Sequence, residues 1–329
     1  MSKVQNIIIR LPNWLGDMVM STSFVSAVGL QFPGASIDLV AKKGIDLLLA
    51  YFPAHDNRFV FSKDEYPGIG GALKFGKLLR SKKKYDLFFC LPDSLSSAMM
   101  AYGTSAKKRI GFKNGVRTLL MTDCFSKKKK LHRVEEYVDL LQQYLKKGIA
   151  VPPVFLTPGG NKKRDAVIVN INSEASSRRL PISKAVSLIS SIRRKISHEI
   201  ILIGSPKEKS FVDEVYNLLD DKENITNTAG TTSLPQLIEI MSNCKVMLTT
   251  DSGPAHLANA AGTYTIVLFG AGNEKNTAPY NKKTNLVIRL GELGCEPCTR
   301  NVCELYDVPK CLTLLDDEYI AGMVLTKMA

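Results

Sequence analysis

Short β-branched runs alternate with turns and helix-spaced stretches along this chain, and the alternation starts over halfway. Ile7, Ile8 and Ile9 read as a first strand, the loop 11–16 follows, and a helix runs from Asp17 to about Gln31, with Val19, Met20, Phe24, Val25 and Val28 near helical spacing. Further strands are expected at 37–41, 58–61 and 86–91, and helices near 44–51, 69–80, 94–102 and 132–147. The second half gives strands at 166–172, 199–203, 246–250, 265–269 and 286–290. Its helices fall near 183–195, 207–219, 234–242, 254–261 and 316–326. This order predicts parallel, doubly wound α/β sheets, because a parallel strand pair needs a crossover and a helix is the usual one.

A chain of 329 residues exceeds the usual size of one core. The strongest punctuation, Val151-Pro152-Pro153 and Thr157-Pro158-Gly159-Gly160, lies between the halves and sets domains of 1–155 and 156–329. Ligands of such folds sit at the carboxyl ends of the strands. No apolar run reaches the length of a membrane span, and the start, MSKVQNIIIRLPNW, lacks a signal peptide's apolar core, so a cytosolic protein is expected.

The net charge of +13 is uneven. Residues 1–150 hold 24 Lys+Arg against 12 Asp+Glu, and the remaining residues hold 20 against 19. Most of the excess comes from Lys82-Lys83-Lys84, Lys107-Lys108-Arg109 and Lys127 to Lys130. Each cluster alone reads as a solvated face, but together on one domain they favour an anionic partner: a phosphorylated glycolipid or the inner membrane leaflet. Nucleic acid is not expected, because no interleaving of basic and aromatic residues accompanies the charge.

The stretch MLTTDSGPAHLANAAG, 247–262, reads as a buried strand that stops at Asp251-Ser252-Gly253-Pro254 and turns into a helix. Pro254 suits a first turn, Asp251 or Ser252 can cap, and Gly253 lets a ligand approach the backbone. A helix N-terminus at a strand's carboxyl end binds phosphate, and His256 lies in the same turn. An ordinary capped strand, turn and helix would read the same way.

This stretch, Asp-Ser-Gly with His256 three residues on, resembles the donor-binding signature of the lipopolysaccharide heptosyltransferase family. LPNWLGDMVMS, 11–21, is similar to that family's opening signature. The resemblance implies a GT-B fold, two facing Rossmann-like domains with a central cleft and a carboxy-terminal helix that packs back on the first. It also implies inverting transfer of a heptose from ADP-heptose to the lipopolysaccharide inner core.

Residue by residue, the resemblance makes Asp17 the base that takes the acceptor hydroxyl's proton. Capping is the commoner role of an Asp before a helix, and a helix N-terminus lowers a carboxyl pKa while burial raises it. Ser176 to Pro181 resembles the family's Lys-Arg/His-Trp-Pro segment, with Arg178 at the Lys position on the donor diphosphate and Leu180 in place of Trp. Glu208, in Gly204 to Glu208, matches the carboxylate that bonds the donor ribose. Asp251, Ser252, Gly253 and His256 complete the donor side, and a weaker likeness over 109–112 assigns Arg109 to the acceptor.

No cofactor is expected for the chemistry, since fixed dipoles can stabilise a leaving diphosphate. Cys295, Cys298, Cys303 and Cys311 form Cys-x2-Cys-x4-Cys-x7-Cys, which reads as a structural zinc or iron site or as four free thiols. Cys90, Cys124 and Cys244 read as core residues. Two rivals stand beside the transferase: a nucleotide-sugar epimerase of the same fold, which makes product from donor alone, and a non-catalytic carbohydrate- or membrane-binding protein, indifferent to loss of Asp17.

Overall fold

The structure is a computed structural model that describes residues 4–158 and 164–328; Gly159 and Gly160 of the expected linker lie outside them. The chain divides into two compact units, Met1–Thr157 and Pro158–Ala329.

The first unit carries six parallel strands, β1 (Asn6–Arg10), β2 (Ser36–Lys42), β3 (Asn57–Phe61), β4 (Leu87–Cys90), β5 (Lys108–Phe112) and β6 (Asp123–Phe125), ordered β3-β2-β1-β4-β5-β6. Chain direction of travel across the sheet reverses between β1 and β4. At such a switch point the loops diverge and leave a crevice. On one face lie α1 (Leu15–Met20), α2 (Thr22–Gln31) and, later in the chain, α5 (Arg133–Leu145). The other face holds α3 (Gly68–Lys82) and α4 (Leu95–Thr104). The α3 and α4 backbones touch where Gly76 meets Gly103. A Cβ on Gly76 would stand 2.2 Å from the Met100 carbonyl oxygen, so the crossing admits no side chain there.

The second unit repeats the order with β7 (Arg164–Asn170), β8 (Glu199–Leu202), β9 (Ile225–Asn227), β10 (Cys244–Thr250), β11 (Tyr264–Phe269) and β12 (Asn285–Arg289), arranged β12-β11-β10-β7-β8-β9. All its pairings are parallel, and its switch point lies between β7 and β10. Its helices are α6 (Ile182–Lys195), α7 (Lys209–Asn217), α8 (Leu234–Asn243), α9 (Gly253–Ala260), the single turns α10 (Glu274–Thr277) and α11 (Lys310–Thr313), and α12 (Asp317–Met328). The central strands β7 and β10 are buried from Ala166 and Val246 onward, as strands covered on both faces must be.

Three expectations need correction. The helix read as continuous from Asp17 to Gln31 breaks at Ser21, whose amide contacts both the Asp17 and Met18 carbonyls while its hydroxyl donates to Met18 O at 2.6 Å. The helix near 44–51 is a 3-10 turn, Asp46–Tyr51. Strands β5, β6 and β9 were not read as strands; β6 and β9 have three residues each, too few to show a period. In the second unit α12 packs on α6, β7 and β10, and Lys184 Nζ pairs with Asp317 at 2.6 Å.

Candidate functional site

In the second unit, Asp251, Ser252 and Gly253 stand where β10 ends beside the switch point. Ser252 is the N-cap residue of α9, yet its side chain makes no cap hydrogen bond. Its hydroxyl accepts instead from Asn170 Nδ2 at 2.9 Å and donates to Thr250 O at 3.2 Å. The first turn of α9 therefore keeps its amides free of a side-chain cap, with Ser252 and Gly253 half-buried at the opening. That arrangement suits an anion. His256 is buried one turn in.

The Asp251 carboxylate is buried, and Arg178 Nη1 lies 3.4 Å from its Oδ2. Burial pushes its pKa from 3.8 to about 6, against the pull of Arg178 and Arg289. Room for it is made by Gly272: a Cβ there would stand 1.9 Å from Oδ2. Arg178 ends a 3-10 turn, Ser176–Arg178, whose Ser177 amide and hydroxyl bond to the carbonyls of Asn301 and Arg300 at 3.1 and 2.5 Å. The neighbouring Arg179 is committed elsewhere, donating to Ser173 O at 3.0 and 3.2 Å and lying over Phe211.

In the first unit, Asp17 is the third residue of α1, which follows β1 at the other switch point. Arg133 Nε lies 3.5 Å from its Oδ1, and the buried Tyr137 hydroxyl hydrogen-bonds it. Burial raises its pKa above the ordinary carboxylate value, Arg133 and the Tyr137 bond oppose the rise, and the Glu136 charge adds to it. The contest between helix end and burial, open in the sequence, goes to burial. Arg133 itself is shared, with Nη1 2.7 Å from Glu136, which Lys127 also meets at 3.1 Å. Trp14, the sole tryptophan, sits three residues before Asp17 and is 62% exposed.

The sequence profile of glycosyltransferase family 9 (heptosyltransferase) matches residues 72–308, well over half of the chain. The chain belongs to this family. A lipooligosaccharide heptosyltransferase 2 of Haemophilus influenzae is 29% identical over 88% of this chain and 90% of its own. In fold, the transferase is similar to Escherichia coli ADP-heptose lps heptosyltransferase II, with a TM-score of 0.80, 23% identity and coverage of 99% of this chain and 100% of that one. A family 9 glycosyl transferase of Veillonella parvula gives a TM-score of 0.86 at 18% identity, covering 98% and 97%. The architecture is thus the two-domain α/β class GT-B.

The transferase groups Asp251, Ser252, Gly253, His256 and Arg178 at one end of one sheet. Glu208 lies one strand further out, after β8, where its carboxylate accepts from the Ser205 amide at 2.8 Å. Arg109 is not near Asp17. It stands in register with Phe88 and Ile8, residues that face α3 and α4, and its guanidinium bonds the carbonyls of Leu120 and Ala106 at 2.9 and 3.0 Å. Asp17 belongs to the α1 and α5 side. Leu180, the departure from the family's Trp, is a buried core residue of the second unit.

The four clustered cysteines line one cavity of 20 Å³ with Ala271, Glu296 and Lys310, all as free thiols. Among the described residues no three His, Cys, Asp or Glu side chains are grouped so as to hold a metal ion, so the expected zinc or iron ligand set is not formed. The Cys311 sulfur is buried beside Gly270, and burial, then Glu296 and the other thiols, push its pKa up to about 11. The cysteine loop instead braces the site, through the Ser177 bonds above and Thr299 N to Ala271 O at 2.7 Å. Of the cysteines read as core, Cys90 and Cys244 are buried and Cys124 is half-exposed.

Sequence reasoning missed Asn170, Asn172, Gly272 and Arg289. Asn170 ties β7 to Ser252, and Asn172 Nδ2 reaches the Ile203 carbonyl at 2.9 Å, so the two amides lace the switch point together. Arg289 holds the loop after β11 through the carbonyls of Gly270 and Gly272, and pairs with Glu274 and Glu296. Arg10, buried at the end of β1, donates to Leu11 O at 2.6 Å and to Asn13, and so sets the loop that delivers Asp17. The signal available was position: each lies at the carboxyl end of a strand.

Proposed function

We propose that this transferase moves a heptose from ADP-heptose to the inner core of a lipopolysaccharide, with inversion at the anomeric carbon. Asp17 takes the proton of the acceptor hydroxyl as that oxygen attacks. Its raised pKa makes it a stronger base than an ordinary carboxylate, and Arg133 and Tyr137 fix its orientation. The departing diphosphate is received by the free amides of α9 at Ser252 and Gly253, with Arg178 neutralising its charge and His256 donating to a phosphate or sugar oxygen. Glu208 bonds the ribose.

The observation that carries this reading is that each unit has a switch-point site, and the two are of opposite character: a half-buried carboxylate with a raised pKa after β1, and an uncapped helix start beside a guanidinium after β10. The identity of the sugar comes from the relatives' names. The chemistry needs no cofactor in this scheme. The acceptor is an anionic glycolipid met at the inner face of the inner membrane by a protein that itself is cytosolic, and among the described residues no helix is long and apolar enough to cross a membrane.

A screen of ADP-, UDP- and GDP-sugars, read as nucleoside diphosphate released with and without a heptose-deficient core acceptor, tests the proposal. Release from ADP-heptose only when acceptor is present supports it. Product formed from donor alone selects the epimerase, and no turnover of any donor selects the binding protein.

A further inference from the structure

The tertiary structure redistributes the positive charge of the first unit. Five of the nine lysines in the runs that stand out in the sequence are paired within the fold: Lys83, Lys107, Lys108, Lys127 and Lys128 each meet a carboxylate of the same unit. Helix α3 is different. From Gly68 to Lys82 it holds no acid, and Lys74, Lys77, Arg80 and Lys82 have no ion-pair partner among the described residues.

Lys77 and Arg80 open onto a groove of 310 Å³ between the ends of α3 and α4, which Arg109 and the phenol of Tyr102 also line. The Gly76–Gly103 crossing draws the two helices together, which brings their basic and aromatic side chains to one rim. Both helices point their negative ends here, worth at most about half a charge each. Three full cations exceed that, so the groove keeps a net positive field.

The rim is apolar as well as basic. Tyr102 is 52% exposed and lies under the Arg109 guanidinium, 5.7 Å from it. Beside α4 packs a 3-10 turn, Gly115–Leu120, tied to Arg109 through the Leu120 carbonyl. It presents Val116 and Leu119, 69% and 87% exposed. Aliphatic tips next to unpaired cations, with an aromatic ring between them, match the boundary between headgroups and acyl chains.

We propose that this α3–α4 groove and the Gly115–Leu120 turn form the docking surface by which the protein sits on an anionic phospholipid bilayer. Lys77, Arg80 and Arg109 take headgroup phosphates, and Val116 and Leu119 enter the acyl boundary. The inference deepens the reading of a lipid-borne acceptor given above and moves Arg109 from acceptor to membrane.

The test is cosedimentation of the full chain with vesicles of phosphatidylglycerol mixed with phosphatidylcholine, against phosphatidylcholine alone. The wild type is expected to bind the anionic vesicles in a salt-sensitive manner and the neutral ones weakly. Each basic residue near such a surface is worth roughly five-fold, so Lys77→Glu/Arg80→Glu should weaken binding by roughly 25-fold or more. Leu119→Ser should weaken it at unchanged charge. Lys129→Glu/Lys130→Glu, an equal charge change at another exposed place on the same unit, should leave most of it. Lys77→Glu alone, at an exposed position, serves if the double variant misfolds.

Equal loss in the Lys129/Lys130 control, or no preference for anionic vesicles, overturns the proposal. Displacement by free inorganic phosphate with Leu119→Ser indifferent also overturns it, in favour of a soluble-anion site. Donor turnover on a water-soluble acceptor should be unchanged in every variant. If turnover is absent in the wild type while vesicle binding follows the expected order, the transferase reading fails and the surface stands.

Discussion

Arg178 and Asp251 meet 3.4 Å apart, so that a guanidinium and a buried carboxylate face each other beside the free N-terminus of a helix. The carboxylate binds its proton more tightly than usual despite this partner, because burial outweighs the attraction. The same opposition recurs at Asp17 and Arg133, 3.5 Å apart. In both places an arginine keeps a desolvated carboxylate usable.

Replacement of Asp17 by Asn keeps the shape and removes the base. Turnover should fall by roughly 10²–10⁴-fold, with the melting temperature little changed. Since Arg133 holds the Asp17 pKa down, Arg133→Met should move the acidic limb of kcat/KM to higher pH, and Arg133→Lys should move it less. A limb that stays put in both variants assigns it to another group.

The Asp251 shift has a sign that stability measurements can read. Its folded pKa of about 6 lies above the ordinary 3.8, so the folded state holds the proton more tightly. The stabilisation this gives is whole below pH 3.8 and is lost as pH rises through 6. Asp251→Asn removes that dependence, so the variant's melting temperature relative to wild type should be higher at pH 7.5 than at pH 4. Donor affinity should fall in the same variant.

Adjacent arginines should separate by phenotype. Arg178→Ala should lower kcat/KM for the donor by at least roughly 10-fold, the cost of a charge-assisted contact of about 1.5–3 kcal/mol, with little loss of stability. Arg179→Ala should lower the melting temperature more, because its guanidinium holds the Ser173 carbonyl and covers Phe211. A reversed order would exchange their roles.

Gly272→Ala places a methyl group 1.9 Å from Asp251 Oδ2. The carboxylate must move, so donor binding should weaken and stability should fall by about 1–3 kcal/mol in denaturant titration. Gly294→Ala, where a Cβ meets nothing within 4 Å, is the matched control.

Trp14 offers a direct probe, since it is the only tryptophan and is largely exposed. Its emission should be readily quenched by acrylamide, and a core acceptor bound at Asp17 should protect it. Unchanged quenching at saturating acceptor would put the acceptor elsewhere.

The sequence by itself determined the two doubly wound sheets and the 251–256 turn, because strand-helix alternation and cap chemistry are local and leave periodic traces. It pointed to Asp17 only through the likeness of residues 11–21 to a family signature, since an Asp before a helix is more often a cap. Only the tertiary structure decided which of Arg178 and Arg179 reaches Asp251, and that Leu180 belongs to the core. It alone set the direction of the Asp17 pKa and moved Arg109 to the far face of the sheet. It also cancelled much of the charge in the lysine runs, as where Lys83 meets Asp38 across 45 residues. Such outcomes are sums over partners distant in sequence, where burial and opposite charge compete, and a linear pattern carries neither term.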